Sequence, residues 1–175
     1  MSEREEQGAK IAEVASRLGV PGQWLDALIN FETGGTYDVF VKNPYSSARG
    51  LIQVLDSTAQ NEFGAADSLA LSNKYPTFAS YMENVVWPYL RKYMPYSDKQ
   101  SLYMAVFYPA YRNSPPSTIF PESVRKVNPG ITTVQDYIDF VDRRIRTAEL
   151  RLGKAIPILI AAVGIGVLAW LRSRG

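Results

Sequence analysis

Two side chains in this 175-residue chain, Glu32 and Gln53, stand where chemistry could be done. Glu32 lies in Phe31-Glu32-Thr33-Gly34-Gly35. Gln53 closes Ser46-Ser47-Ala48-Arg49-Gly50-Leu51-Ile52-Gln53, and Ser57-Thr58-Ala59 follows. A carboxyl at the end of an apolar helix suits protonation of a poor leaving group such as a glycosidic oxygen. The donor must hold its proton well above the ordinary Glu value of about 4.3, and an apolar setting does this by disfavouring the ionised form. Leu25, Leu28, Ile29 and Phe31 are the expected setting. Taken alone, Glu32 reads more readily as a helix-terminal acid pointing into solvent, since a carboxyl by itself marks a site only weakly.

The neighbours add reach. Gly50 lacks a side chain, which lets backbone come close to a bound ring. Gln53 offers both a donor and an acceptor to an acetamido group or hydroxyl. Arg49 could meet a carboxylate, with a solvated surface cation as the plainer reading.

Absences narrow the options. The chain has no His and no Cys. That excludes Ser-His-Asp and Cys-His catalysis, thiolate metal sites and a disulfide framework. Acid–base work falls to carboxylates, Lys or Tyr, and neither a metal nor a cofactor is expected. The formal net charge of +2 conceals an acidic body, because the cations concentrate after residue 140. A nucleic-acid partner is therefore not expected.

The elements that must position these residues are mostly helical. Ile11, Val14, Ala15 and Leu18 recur at helical spacing over Glu5–Leu18, and Gly19 closes that helix. Pro21 opens a second helix, through Glu32, with Leu25, Leu28, Ile29 and Glu32 on one face. Thr36–Tyr45 has no helical period and reads as loop or short strand around Tyr37–Val41. Asp56 or Ser57 is expected to cap a helix ending at Phe63. Ala65–Thr77 is ambiguous. Phe78–Met94 reads as a helix kinked or split by Pro88. Ser97 and Gln100 form a capping-box pattern for a helix over Asp98–Tyr111. Thr133 and Asp136 start a long helix carrying Tyr137, Phe140, Val141 and Ile145.

Residues 155–171 change character. Trp170 is the only hydrogen-bonding side chain there, and Lys154, Arg172 and Arg174 flank the run. At about 1.5 Å per residue it would reach roughly 26 Å, enough for a short membrane-spanning helix. Met1–Glu6 is acidic and polar, without the apolar run of a secretory signal. The expected organisation is a domain over 1–140, a basic juxtamembrane helix over 141–154, a transmembrane helix over 155–171 and a short basic tail over 172–175. The expected fold is mainly α, an α+β arrangement with a small β or loop region, plus that C-terminal transmembrane helix.

With both motifs in view, the sequence resembles the lysozyme-like lytic transglycosylases, a group that includes goose-type lysozymes. The resemblance is clear over about 10–60 and looser to about 140. It implies a lysozyme-like fold, Glu32 as the catalytic acid and base, and Gly50 and Gln53 as substrate contacts together with Ser46 or Ser47, since Ser47 stands where the family usually has Gly. The family's later tyrosine-bearing segment is matched best by Val106-Phe107-Tyr108-Pro109-Ala110-Tyr111, where Pro replaces an Asn, so Tyr108 and Tyr111 are both candidates. The implied reaction is cleavage of peptidoglycan between N-acetylmuramic acid and N-acetylglucosamine, leaving a 1,6-anhydro end. A two-carboxylate hydrolase is the alternative, with Asp38 or Asp56 as second acid. The anchor leads to a single-pass, C-terminally anchored protein in the internal membrane of a phage particle, and in the host membrane during assembly. Its partners would be glycan strands, the bilayer, and capsid or membrane proteins of the particle. A bacterial membrane-bound lytic transglycosylase and an inactive structural protein of the same fold are the other readings.

Overall fold

A computed structural model of the chain describes residues 2–153, with the side chains of 127 and 144–153 excepted. Helix α1, Glu3–Leu18, begins on a Ser2/Glu5 capping box. It ends at Gly19, whose N–H donates to the Ala15 and Ser16 carbonyls and whose left-handed φ of 70° brings the next N–H, that of Val20, to the Ala15 carbonyl. Pro21 precedes α2, Gly22–Glu32. This helix is the centre of the domain, packed against α1 and against two later helices, α7 (Lys99–Phe107) and α9 (Val134–Gly153). The face expected to be apolar is inside: Leu25, Leu28, Ile29 and Phe31 are buried, and Glu32 with them.

Three further short helices follow. Helix α3 is Asp56–Phe63, α4 is Ser68–Lys74 and α5 is Phe78–Tyr81. The expected cap of α3 is displaced. Leu55 occupies the cap position, the Asp56 N–H donates to Ser47 Oγ, and the Asp56 carboxylate accepts from Ser68 N–H at the start of α4. The split expected at Pro88 takes a definite form. A π-helical turn over Met82–Val86, closed by Trp87 N–H to Met82 O, leads into α6, Trp87–Leu90. Pro88 has no N–H to return to Asn84, so the wider turn just before it absorbs the missing bond. The capping box of α7 uses Asp98 and Ser101, one residue later than expected. This helix stops at Phe107, because Pro109 follows at once. Helix α8, Glu122–Val127, precedes α9. The Asp136 carboxylate accepts from the Thr132 and Thr133 backbone and from the Thr133 hydroxyl, fixing the start of α9. That helix runs unbroken past residue 140.

Two expectations are corrected. The fold is mainly helical and has no β-strand among the described residues; isolated bridges pair Lys42 with Arg49, Arg49 with Val54, and Ile119 with Thr133. Tyr37 takes a left-handed φ of 56°, and the Thr36 and Asp38 side chains accept from Asp38 N–H and Phe40 N–H. Local bonds of this kind use donors that a ladder would need. The second correction concerns the membrane. Among the described residues no helix is long and apolar enough to cross one; α9, the longest, carries Asp136, Asp139, Asp142 and Arg143. The anticipated spanning segment 155–171 and the tail 172–175 lie outside the described residues. The transmembrane element of the fold, and the membrane-anchored location drawn from it, have no support among the described residues.

Candidate active site

Glu32 is the last residue of α2 and only 3% exposed. Thr33 caps the helix behind it: the Thr33 N–H and Oγ–H both donate to the Ile29 carbonyl, and Gly34 and Gly35 turn the chain away at positive φ. The helix therefore cannot fray at the acid. Across from it, Tyr137 of α9 brings its phenol to 3.5 Å from Glu32 Oε1.

Tyr137 is fully buried and held on two sides. Its ring stacks on Phe107 of α7 at 4.1 Å between centroids, nearly parallel, and meets Phe31 edge-on at 5.7 Å. Phe107 in turn meets Phe120 edge-on. Aromatic packing of this sort fixes the ring plane, so the hydroxyl is aimed rather than mobile. The site is a carboxyl removed from water with an oriented hydroxyl donor beside it. Such a group can exchange a proton with a ligand under control of its surroundings rather than of bulk solvent.

The Gly50–Gln53 turn is rigid. Gln53 is buried and adopts a left-handed φ of 48°; its Nε2 donates to the carbonyls of Gly50, at 3.0 Å, and Val41, at 3.4 Å. Gly50 has a φ of +82°. A Cβ at this position would lie 2.3 Å from the Tyr81 hydroxyl oxygen and 2.6 Å from its Cζ. The space a side chain would need is thus filled by Tyr81, which burial holds above the ordinary phenol range. Glycine is required here by packing as well as by backbone conformation.

Ser46 and Ser47 also hold structure together. Ser46 Oγ accepts from Ala48 N–H, Ser47 Oγ from Asp56 N–H, and the Ser47 carbonyl from the Ser68 hydroxyl. Between Asn43 and Ser46, Tyr45 is 70% exposed while its N–H is tied to Asn43 Oδ1. Tyr108 and Tyr111 are half-buried, tilted against each other at 4.7 Å, and both pack on Phe120. They reach the Glu32 neighbourhood through the Phe120–Phe107–Tyr137 stack. The phenol that bonds to the acid is that of Tyr137, which its sequence position marks only as a helix-face aromatic. Tyr81 was likewise unmarked.

Asp38 is exposed and accepts the N–H of Phe40 two residues on; Asp56 is half-buried and accepts the N–H of Ser68 at the start of α4. Two grooves, of about 460 and 320 Å3, lie along α1 and Tyr37. Neither is lined by Glu32, Gln53 or the serines. Among the described residues no cluster of acids could hold a metal ion. The chain matches no known protein family, no curated protein and no solved structure.

Proposed function

We propose that this chain is a peptidoglycan-degrading muramidase of the lytic transglycosylase kind, with Glu32 as its acid and base. The observation that carries the reading is the buried Glu32 carboxyl at the end of α2, with the Tyr137 phenol at 3.5 Å. The resemblance of the two motifs adds the substrate class.

In this account Glu32 donates its proton to the oxygen between the N-acetylmuramic acid and N-acetylglucosamine units. The bond from that oxygen to muramoyl C1 breaks, and the 2-acetamido oxygen closes on C1 as the leaving hydroxyl departs. The Glu32 carboxylate then takes the proton of the muramoyl 6-hydroxyl. O6 attacks C1, the acetamido group reopens, and a 1,6-anhydro ring forms with Glu32 reprotonated. No water is consumed. Tyr137 holds the carboxyl in position through both proton transfers. Gln53, Gly50, Ser46 and Ser47 form the turn against which the sugar is placed, with Tyr108 and Tyr111 supporting the far wall.

A single-carboxylate route is favoured over hydrolysis by the state of the two other acids. An inverting hydrolase needs a base across the cleft, held to activate water. Asp38 and Asp56 each hold a backbone N–H, that of Phe40 and that of Ser68. The mass of the digestion products decides: anhydro ends, one water lighter than free reducing ends, are expected. Products that all carry free reducing ends would make the enzyme a hydrolase.

A further inference from the structure

The loop that carries Ser46 and Ser47 also pairs two cations. Lys42 and Arg49 face each other across an antiparallel bridge. The flanking bonds, Asn43 N–H to Ala48 O at 2.9 Å and Gly50 N–H to Val41 O at 3.0 Å, make them a pair without hydrogen bonds to each other. In such pairs the side chains leave the same face and lie closest together. Like charges placed directly opposite are destabilising unless something answers them. Among the described residues, no carboxylate forms an ion pair with either one.

Arg49 is the more constrained of the two. Its backbone exchanges hydrogen bonds with Val54 in both directions, at 3.0 and 2.8 Å, and its carbonyl also accepts from Tyr81. One guanidinium N–H donates to the Phe40 carbonyl at 2.7 Å. The Nε–H is buried and has no partner. A half-buried guanidinium is costly without a counter-charge, and its planar fork of donors matches a carboxylate. The pair thus presents two cations on one face with no carboxylate bound to either among the described residues.

Resting on the glycan reading above, we infer that Arg49, with Lys42 beside it, reads a carboxylate carried by the muramoyl unit. The exposed Tyr45 ring in the same loop gives a sugar face something to lie on. Two sources offer that carboxylate. In strands stripped of peptide it is the free lactyl group; in intact strands the lactyl group is amidated, and the carboxylates belong to the stem peptide.

The test uses the full chain carrying Glu32→Gln, so that no turnover occurs, and measures binding to three glycans. These are neutral N-acetylglucosamine oligomers, peptide-stripped strands and stem-bearing strands. Adding Arg49→Gln should weaken binding to a carboxylate-bearing glycan by about tenfold or more, as loss of a bond to a charged group does, and leave the neutral oligomer unchanged. Arg49→Lys should recover part of the loss, since it keeps the charge without the fork. A loss confined to stem-bearing strands identifies the stem carboxylate; a loss on stripped strands identifies the lactyl group. An equal loss on neutral and acidic glycans makes Arg49 a loop strut and overturns the inference, as does unchanged binding to every acidic strand. If the Glu32→Gln chain binds none of the three, the glycan reading itself fails.

Discussion

The Tyr137 hydroxyl meets Glu32 Oε1 at 3.5 Å, joining the end of α2 to α9 across 105 residues of sequence. Phe107 and Phe31 hold the ring, so replacing only the hydroxyl isolates the bond. Tyr137→Phe should keep the fold, cost about 1 kcal/mol in chemical denaturation, and lower kcat on purified peptidoglycan by about tenfold with KM little changed. A variant as active as the parent would remove Tyr137 from any part in positioning the acid.

Gly50 tests the packing of the turn. Gly50→Ala would force a Cβ to within 2.3 Å of the Tyr81 hydroxyl at a left-handed φ. The expected cost is at least about 2 kcal/mol, from overpacking and backbone strain together. Tyr81→Phe should not relieve it, because Cζ lies only 2.6 Å from the same point. Melting curves of the single and double variants check both statements.

Ser47 links the turn to α3 and α4. Ser47→Ala removes the acceptor for Asp56 N–H, and a loss of about 1 kcal/mol is expected. If the hydroxyl also meets the sugar, KM should rise at a temperature where the variant is fully folded. Denaturation and kinetics on one preparation separate the two contributions.

Acid should loosen the seam between α1 and the π-helical turn. Hydrogen bonds from Arg17, then Lys10, hold the Glu83 carboxyl down to about 2. A depressed folded value means that this contribution is present above the unfolded value of about 4.5 and is lost as the pH falls from there toward 2. Glu83 is 41% exposed at its side chain, so the effect is modest and shrinks with salt. Thermal midpoints from pH 7 to 2.5 should fall less steeply for Glu83→Gln than for the parent. The Glu5 and Asp136 carboxyls, which accept hydrogen bonds from Ser2 and from Thr133, are also held down and act in the same direction.

Much of the helical frame was legible because it is local. Apolar spacing placed α1 and α2 and put Glu32 on the buried face, and Thr133 with Asp136 marked the start of α9. The misplaced details share a physical cause, which is that side chains bonded across longer distances than a capping rule assumes. Ser47 rather than Asp56 serves the start of α3, and Asp56 serves α4. Tyr37–Val41 has β-forming residues, but the N–H groups of Tyr37, Asp38 and Phe40 go to nearby side chains. Tyr137 and Tyr81 could not be singled out, since each gains its meaning from a partner distant in sequence: Glu32 for one, the vacant Cβ space of Gly50 for the other. The apolar run at 155–171 carried a membrane expectation on its length, apolarity and flanking cations, and no described helix takes that role.

The most direct test of the account is digestion of purified peptidoglycan by the full chain and by its Glu32→Gln variant, followed by mass analysis of the soluble products. 1,6-Anhydro muropeptides are expected from the parent and none from the variant, both proteins melting alike to within about 1 kcal/mol. Equal release of products by the variant would contradict it, as would a folded parent that releases nothing.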